Sequence, residues 1–265
     1  MIGIIGNGFV GNAVYQNLRD KVECKVYDLD KNRSFNTLEE VIAQDYIFVC
    51  LPTPMRKDGE CDLSILDSFF ENLYWDHPDV DGTFIIKSTV PIGTTRKYTE
   101  KYNVIHNPEF LTARNAVEDF RTSDRNIVGG DKDLCKEFVD IFSEWFPNIP
   151  SLIVSSDESE AIKYFSNVFL AYKVAYFNKI FDVCEATGMN YKNVCFGVSA
   201  DNRIGISHTK VPGIDNDRGF GGTCLPKDLN SLIVQMDKLG VNSDMLKEVW
   251  KYNEEIRKVI DWTVT

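Results

Sequence analysis

The sequence has few histidines, no paired cysteine motif and no long apolar run. Three histidines lie far apart in 265 residues, so we expect no histidine-based metal site and predict no bound metal. The seven cysteines are odd in number and contain no CxxC pair, which argues against a disulfide framework and against a paired-cysteine zinc site. This cysteine usage predicts a reducing compartment, and we expect the cytoplasm.

No apolar stretch approaches the roughly 20 residues of a membrane-spanning helix. The opening residues, MIGIIGNGFVG, have no basic segment and lead directly into a glycine motif, so we expect no signal peptide. Basic residues number 29 against 40 acidic ones, and the resulting net charge of −11 is unlike that of a nucleic-acid-binding protein. A few local cations must therefore capture any anionic substrate.

Hydrophobic residues make up 43% of the chain, enough for a sizeable core. Short apolar runs alternate with helix-like stretches in the first half, and this βαβ rhythm predicts a doubly wound, Rossmann-type parallel sheet. The predicted strands are Ile2–Ile5, Lys25–Tyr27, Tyr46–Cys50, Thr83–Lys87, Val104–His106 and Asn126–Gly129. The predicted helices lie near Phe9–Leu18, Thr37–Ala43, Leu63–Leu73, Thr94–Lys101 and Leu134–Trp145. Residues 147–156 break the pattern and end an α/β domain over residues 1–156.

The second half of the chain is predicted to be helical, as a domain over residues 157–265. Its first element is one long helix over residues 157–187, about 45 Å in length at 1.5 Å per residue, which suggests a helix shared by two subunits. Apolar residues recur at three- and four-residue spacing along it, so it is amphipathic or broadly buried. Two more helices are predicted near Lys227–Leu239 and Asp244–Trp262.

A glycine motif follows the first strand and precedes the first helix. In this GxGxxG pattern Gly6 permits a tight turn, Gly8 lets a pyrophosphate approach the backbone, and Gly11 lets helix and strand pack closely. The helix N-terminus, where Phe9 and Val10 lie, offers backbone N–H groups to the phosphates. The motif alone is also compatible with a simple glycine turn.

An acidic residue supports the nucleotide interpretation. Asp28 ends the next strand about 20 residues on, where ribose hydroxyls bind, so we predict a bound dinucleotide. A carboxylate there repels the 2′-phosphate of NADP and favours NAD, a preference that nearby Lys31 weakens slightly. Thr53 and Thr89 follow two other strands at the same edge and are placed to reach the cofactor, although prolines ending strands explain those segments equally well.

The segment GFGGTCLPKD carries a candidate nucleophile. Cys224 lies just before a helix start marked by Pro226, and Lys227 follows it. A helix N-terminus and a lysine both stabilise a thiolate, so Cys224 is a candidate for covalent catalysis. A structural cysteine is the alternative.

Three further polar residues are candidates for the chemistry. Lys163 and Asn167 lie four residues apart on the long helix and point to the same side, where an ammonium and an amide can hold an oxyanion. Glu109 follows a strand and is a candidate general base. From the residues alone, a solvated helix face and an ordinary loop carboxylate remain alternatives.

Taken together, the motifs resemble those of one enzyme family. They are GNGFVG, KSTVPIG, NPEFL, EAIKYFSN, DNRIG and GFGGTCLPKD, in this order. This order and spacing are similar to the UDP-glucose/GDP-mannose dehydrogenase family over nearly the whole chain. The resemblance implies oxidation of the C6 hydroxymethyl group of a sugar nucleotide to a carboxylate with two NAD+, most plainly UDP-glucose to UDP-glucuronate.

The resemblance also implies a covalent mechanism. Cys224 matches the nucleophile that captures the aldehyde as a thiohemiacetal and then carries the thioester, and Glu109 matches the carboxylate associated with thioester hydrolysis. The groups matching those that handle the proton and stabilise the oxyanion are Lys163, Asn167, Asp228 and a water held partly by Thr89.

Other matching positions concern binding. Lys227 matches a cofactor-side lysine, and Arg203 an arginine that reaches the substrate of a neighbouring subunit. The expected substrate contacts are Phe110, Leu111, Phe220 and Gly221. The long helix matches the family's dimer helix, so a homodimer through residues 157–187 is expected.

Two departures from the family pattern leave alternatives open. Ala113 stands where a glutamate commonly follows NPEFL, and the chain ends at Thr265, where the family's third, nucleotide-gripping domain would begin. We therefore expect that domain to be absent, with a separate chain as one source of it. The alternatives are a non-catalytic NAD-binding subunit, a dehydrogenase for another sugar nucleotide such as GDP-mannose, and a single-step 3-hydroxyacid dehydrogenase, which has no need for Cys224.

Overall fold

The computed structural model describes residues 1–112 and 114–262, and its strands follow the apolar runs of the sequence. Within these residues one sheet has the strands β1 (Ile2–Ile5), β2 (Cys24–Tyr27), β3 (Tyr46–Val49), β4 (Thr83–Ile86), β5 (Val104–His106), β6 (Asn126–Gly129) and β7 (Ser151–Val154). The first six agree with the predicted strands to within one residue. The last lies in the segment predicted to break the pattern. It was missed because its four residues directly follow Pro150, in a proline-containing segment that was interpreted as a break. In the structure β7 is the edge strand of the sheet, with Leu152 and Ile153 exposed.

The helices alternate with the strands and then continue alone. The described residues form α1 (Phe9–Leu18), α2 (Leu38–Ile42), α3 (Ser64–Asp76), α4 (Ala116–Arg121), α5 (Lys132–Trp145), α6 (Ser156–Thr187), α7 (Tyr191–Ser199), α8 (Leu225–Lys238) and α9 (Asp244–Ile256). The short helices α4 and α7 were not predicted. The helix predicted over Thr94–Lys101 is wrong, because only a 3₁₀ turn forms at Thr95–Lys97. The predicted last helix ends at Ile256 rather than Trp262.

The sheet has the order β2-β1-β3-β4-β5-β6-β7. The strands β1 to β5 are parallel, and β6 pairs antiparallel with β5 through one residue pair, His106↔Gly129, before β7 pairs parallel with β6. Strand order reverses between β1 and β3, which is the switch point of a doubly wound sheet. The predicted fold class, a Rossmann-type α/β sheet followed by helices, is confirmed, with the reversed pair β6 and β7 as an addition.

The chain divides into two compact units. The first unit comprises residues 1–53 and 63–163 and contains the whole sheet; its core joins strand residues such as Ile4 and Phe48 to the aromatic side of α5 at Phe138. The second unit comprises residues 54–62 and the chain from Tyr164 onward. Its core packs Tyr164 and other α6 residues against α8 and α9.

Three further observations bear on function. No helix in the described part of the chain is both long and apolar enough to cross a membrane. Among residues 1–112 and 114–262, no cluster of His, Cys, Asp and Glu side chains is arranged to hold a metal ion. The seven cysteines, all within those residues, form no disulfide.

Candidate functional site

The glycine loop of the first unit connects β1 to the N-terminus of α1. Gly6 has φ +84°, a backbone conformation that favours glycine, and a Cβ on Gly11 would lie 1.8 Å from the carbonyl oxygen of Gly6. No atom lies within 4 Å of the Cβ position of Gly8, so space remains beside the N-terminus of α1. Phe9 is exposed and Val10 half-buried in the first turn. This loop can therefore accept a phosphate group on backbone N–H donors.

Asp28 lies directly after β2, beside this loop. Its carboxylate accepts hydrogen bonds from the backbone N–H of Asn7, at 2.6 Å, and of Asp30, at 2.8 Å. These bonds orient the carboxylate and leave acceptor capacity for ribose hydroxyls, because each carboxylate oxygen has two lone pairs. Lys31 is exposed in the following turn.

An apolar cavity of about 440 Å³ adjoins Asp28 and suits a nucleoside base in size. Its walls include Leu29, Leu51 and Phe69. A larger cavity, of about 800 Å³, lies at the opposite end of the strands, beside Tyr46 and Thr83. The smaller one lies at the carboxyl ends of the strands, which is where ligands of open α/β sheets bind. The glycine loop, Asp28 and this cavity together fit a dinucleotide.

The loops after β3 and β4 are bonded to each other. Thr53 Oγ1 donates to the carbonyl oxygen of Thr89 at 2.8 Å, and Ser88 Oγ donates to that of Leu51 at 2.5 Å. Thr53 is buried and Thr89 half-buried. The two predicted threonines are therefore brought together at the carboxyl edge of the sheet.

A buried ion pair forms between two of the predicted catalytic residues in this unit. Lys163 Nζ lies 3.1 Å from Glu109 Oε1, with the side chains only 4% and 6% exposed. The other carboxylate oxygen of Glu109 accepts from the backbone N–H of Leu111 at 2.5 Å. The solvated-face and ordinary-loop alternatives are thus removed for these two side chains.

Phe110 lies between two cations. Its ring centroid is 4.2 Å from the guanidinium carbon of Arg125 and 5.2 Å from Lys163 Nζ, within the range of cation–π contacts. Phe110 and Leu111 are both half-buried. Ala113, the departure from the family pattern, lies outside the described residues.

Sequence reasoning missed Glu160, which stabilises the loop that follows Thr89. This fully buried carboxylate accepts from the backbone N–H of Gly93 and from both the N–H and the hydroxyl of Thr95, at 2.5 to 2.7 Å. Burial raises its pKa, and these bonds oppose the rise. The sequence gave no clear signal for it, because Glu160 lies among other acidic and polar residues in the first turns of α6. Its bonds to this loop also accompany the short 3₁₀ turn in place of the predicted helix.

In the second unit, Cys224 is the N-cap residue of α8, and Pro226 lies in the first turn. The thiol is half-buried. Position alone supports a nucleophilic role, since the N-terminal end of a helix stabilises a thiolate.

The first turn of α8 also carries a buried polar cluster. Asn167 on α6 donates to Asp228 Oδ2 at 2.6 Å, and Asp228 Oδ1 lies 2.6 Å from Lys227 Nζ. Within the described residues, Lys227 Nζ and Asp228 Oδ1 make no well-aligned hydrogen bond despite their short ionic contact. Burial disfavours the charged form of Lys227, but the Asp228 carboxylate outweighs this effect and raises the pKa of Lys227. The ammonium therefore keeps donors available for a ligand.

The glycine-rich segment before Cys224 is attached to α9. Asn253, which is fully buried, accepts from the backbone N–H of Phe220 at 2.7 Å and donates to its carbonyl at 3.0 Å. A Cβ on Gly221 would lie 2.0 Å from the guanidinium of Arg257, so a larger residue there would require that guanidinium to shift. Phe220 is buried. Asn253 was also missed by the sequence analysis, since an asparagine in an amphipathic helix gives no signal.

Arg203 is not brought to this cluster's polar groups. Its side chain is 89% exposed and forms an ion pair with Asp201 at 2.6 Å. The Asp201 carboxylate raises the pKa of Arg203.

The long helix α6 presents an exposed apolar stripe in the second unit. Phe165, Phe169, Tyr172 and Tyr176 recur at spacings of four, three and four residues and are 40–64% exposed. This spacing places them on one face of the helix.

Comparisons with known proteins identify two matching family models. Residues 16–146 match the NAD binding domain of the UDP-glucose/GDP-mannose dehydrogenase family, and residues 157–255 match the central domain of the same family.

Individual relatives agree with these matches. The chain is 28% identical to the UDP-glucose 6-dehydrogenase TuaD of Bacillus subtilis, with 100% of this chain and 65% of that protein covered. It is 31% identical to a UDP-glucose 6-dehydrogenase of Rickettsia conorii, covering 91% of this chain and 56% of the relative. The structure of a UDP-glucose dehydrogenase from Pyrobaculum islandicum superimposes with a TM-score of 0.84 at 28% identity, over 96% of this chain and 68% of that one. The chain thus spans between half and two thirds of the length of these curated relatives.

Proposed function

Because the chain belongs to the UDP-glucose/GDP-mannose dehydrogenase family, we propose that it catalyses the NAD-dependent oxidation of the C6 hydroxymethyl group of a sugar nucleotide to a carboxylate. The substrate proposed first is UDP-glucose, the substrate named for the similar proteins. The observation that carries the proposal is the position of Cys224 at the N-terminus of α8, followed by the buried pair Lys227 and Asp228.

Residues 16–146, most of which lie in the first unit, match the NAD binding domain of the family. Gly6, Gly8 and Gly11 would hold the pyrophosphate at the N-terminus of α1, Asp28 the adenosine ribose, and the 440 Å³ cavity the adenine. When bound, NAD+ would supply the oxidising power, with one NAD+ consumed for each of the two hydrides removed. We further assign Thr53 and Thr89 to the cofactor side from their place at the carboxyl edge of the sheet, and Lys227 from its family position.

In the proposed reaction Cys224 holds the substrate covalently. Its thiolate attacks the C6 aldehyde carbon, a C–S bond forms, and the carbonyl oxygen gains a proton to give a thiohemiacetal. The thioester left by the second oxidation stays on Cys224 until water attacks its carbonyl carbon. The C–S bond then breaks, releasing the carboxylate and restoring the thiol.

The surrounding polar groups have complementary roles in this scheme. Asn167, oriented by Asp228, donates to the oxygen on which negative charge develops, and Lys163 stabilises the same charge. Glu109 accepts a proton from the hydrolytic water, because its carboxylate is buried and already oriented by Leu111.

We also propose that the chain forms a homodimer through α6. The apolar stripe from Phe165 to Tyr176 is exposed in the single chain, and an exposed apolar face of this kind marks an association surface. The spacing suits helix-to-helix packing. Arg203, exposed in the single chain, is then available to the substrate of a neighbouring subunit.

Substitution of Cys224 tests the covalent assignment. Cys224→Ser is expected to abolish acid formation while NAD binding is retained, because a serine hydroxyl is a much weaker nucleophile and the NAD-binding residues are unchanged. Cys24→Ser, which alters another half-buried thiol on β2, is the matched control and should keep acid formation. Unchanged acid formation by Cys224→Ser would overturn the covalent assignment.

A further inference from the structure

Lys87 is a buried lysine to which the proposed reaction assigns no role. It follows the last residue of β4 and is 4% exposed. Its Nζ donates a hydrogen bond to Asn107 Oδ1 at 2.8 Å, with the ring of Phe120 at 5.6 Å. Burying an ammonium is costly, and one neutral amide with one aromatic ring compensates only part of that cost. A buried lysine held in this way calls for a reason other than stability.

Asn107 follows β5 and links it to β6, where backbone pairing between neighbouring strands is least extensive. Its Nδ2 donates to the carbonyl of Ile127 at 2.6 Å and to Asn126 Oδ1 at 2.7 Å, and Asn126 donates to Ser151 Oγ at 3.0 Å. Between β5 and β6 the backbone pairs only at one residue pair. The side chains therefore replace the missing ladder bonds, and Lys87 is the donor at one end of this chain of hydrogen bonds.

The Asn107 anchor lies two residues before Glu109. Glu109 contacts Lys163 through one carboxylate oxygen and the Leu111 backbone N–H through the other. A carboxylate with both oxygens engaged tolerates little displacement of its backbone. The position of Glu109 thus depends on the bonds of Asn107.

The charges around Lys87 are unbalanced. The titratable groups that face it are Cys50, His106, Glu109 and Lys163. Burial raises the pKa of Cys50 to about 12 and lowers that of His106 to about 3, so both are neutral near pH 7. The negative charge of Glu109 is matched by Lys163 at 3.1 Å. Burial consequently lowers the pKa of Lys87 to about 8.

We infer that Lys87 is a positioning residue, which holds Asn107 and through it places the Glu109 carboxylate for hydrolysis of the thioester. The chemical consequence rests on the proposed function. The hydrogen-bonded arrangement itself belongs to the first unit and can be measured without any substrate.

The first test follows two NMR signals of the ¹⁵N-labelled chain between about pH 6 and about pH 10, a range that brackets lysine deprotonation here. The Asn107 side-chain amide signals, assigned by their loss in Asn107→Asp, should shift with a midpoint near 8, where Lys87 loses its proton. In Lys87→Met this titration should vanish, and the Leu111 amide proton should move upfield, because its bond to Glu109 lengthens.

Two further variants separate positioning from folding. Lys87→Arg retains the charge throughout this range, so it should show no titration and an unshifted Leu111 amide. Lys173→Met removes another buried lysine, bonded to the carbonyls of Ile204 and Gly205 in the second unit, and should titrate as the wild type does. A Leu111 amide that does not move in folded Lys87→Met would overturn the inference.

A second test measures the reaction. Lys87→Met should slow acid release by about 100-fold, the scale expected for a misplaced catalytic group, while the thioester accumulates on Cys224 and is detected by intact mass. Lys87→Arg should restore most of the rate. Acid release by Lys87→Met at the wild-type rate would refute the inference, whereas a wild type that forms no acid refutes the proposed function and leaves Lys87 to be decided by the NMR signals.

Discussion

Asn167 on α6 donates a hydrogen bond of 2.6 Å to Asp228 on α8, and both side chains are buried. The same carboxylate lies 2.6 Å from Lys227 Nζ. The Asp228 carboxylate, in the first turn after Cys224, thus orients the Asn167 amide and neutralises the Lys227 ammonium. Because Asn167 and Lys227 both interact with the Asp228 carboxylate, a change at Asp228 should alter both of these residues.

Asp228→Asn is expected to lower acid formation by about 100-fold, since it removes the acceptor that orients Asn167 in the proposed oxyanion site. It should also reduce the free energy of unfolding by about 3 kcal/mol, because the buried Lys227 loses its counter-charge. Product assays and urea unfolding measure the two effects. Asp244→Asn, at the exposed start of α9, is the control and should change neither quantity. Wild-type acid formation by Asp228→Asn would contradict the role assigned to Asp228.

Asp28→Ala should weaken NAD binding by about tenfold or more, the scale of one or two hydrogen bonds to a charged group. The Asn7 and Asp30 N–H groups that it accepts from would also lose their partner. Calorimetric titration of the chain with NAD+ gives the dissociation constant. Asp20→Ala, an exposed carboxylate after α1, serves as the comparison. Equal affinity of the Asp28 and Asp20 variants would argue against the predicted ribose contact.

His106 predicts how stability changes with pH. Burial lowers its pKa from 6.5 to about 3, so the unfolded chain takes up a proton below pH 6.5 that the folded chain refuses. His106 therefore does not reduce the free energy of unfolding above pH 6.5. As the pH falls from 6.5 towards 3, that free energy decreases by about 1.4 kcal/mol per pH unit. Between pH 6.5 and 5 the wild type should therefore lose about 2 kcal/mol more than His106→Gln does, as measured by urea unfolding. His77→Gln should follow the wild type, and parallel curves for wild type and His106→Gln would be the contrary result.

Phe169→Glu should convert a dimer into a monomer, because a carboxylate at a residue that is 64% exposed in the single chain would be buried in the proposed α6 contact. Sedimentation equilibrium measures the mass of the wild type and of the variant and so distinguishes a dimer from a monomer. Trp75→Glu alters an exposed aromatic residue on α3 of the first unit and should leave the mass unchanged. A wild type that sediments as a monomer would exclude this contact.

Much of the fold was predictable because its signals are local. The strands β1, β3 and β4 are buried on both faces, so they read as continuous apolar runs, and the glycines before α1 meet a steric requirement of the turn. The edge strand β7 was missed because its short apolar run follows Pro150 within a segment that breaks the βαβ rhythm.

The site was predictable only in part, for a physical reason. Residues at strand and helix ends, such as Asp28 and Cys224, can be recognised because the sequence pattern predicts where those ends lie. Lys87, Glu160 and Asn253 act through contacts with residues 20 to 67 positions away, which periodicity does not encode. At Lys87 the sequence offered one hint, a lysine at the end of an apolar run, whereas Glu160 and Asn253 lie in polar stretches of their helices and gave none.

The central claim is a four-electron oxidation, and the count of NADH per sugar tests it most directly. A limiting amount of UDP-glucose is incubated with the chain and excess NAD+ until the absorbance of NADH is constant. We expect two NADH for each UDP-glucose. One NADH per sugar would identify a single-step dehydrogenase, and no NADH with either UDP-glucose or GDP-mannose would contradict the proposed activity of the chain.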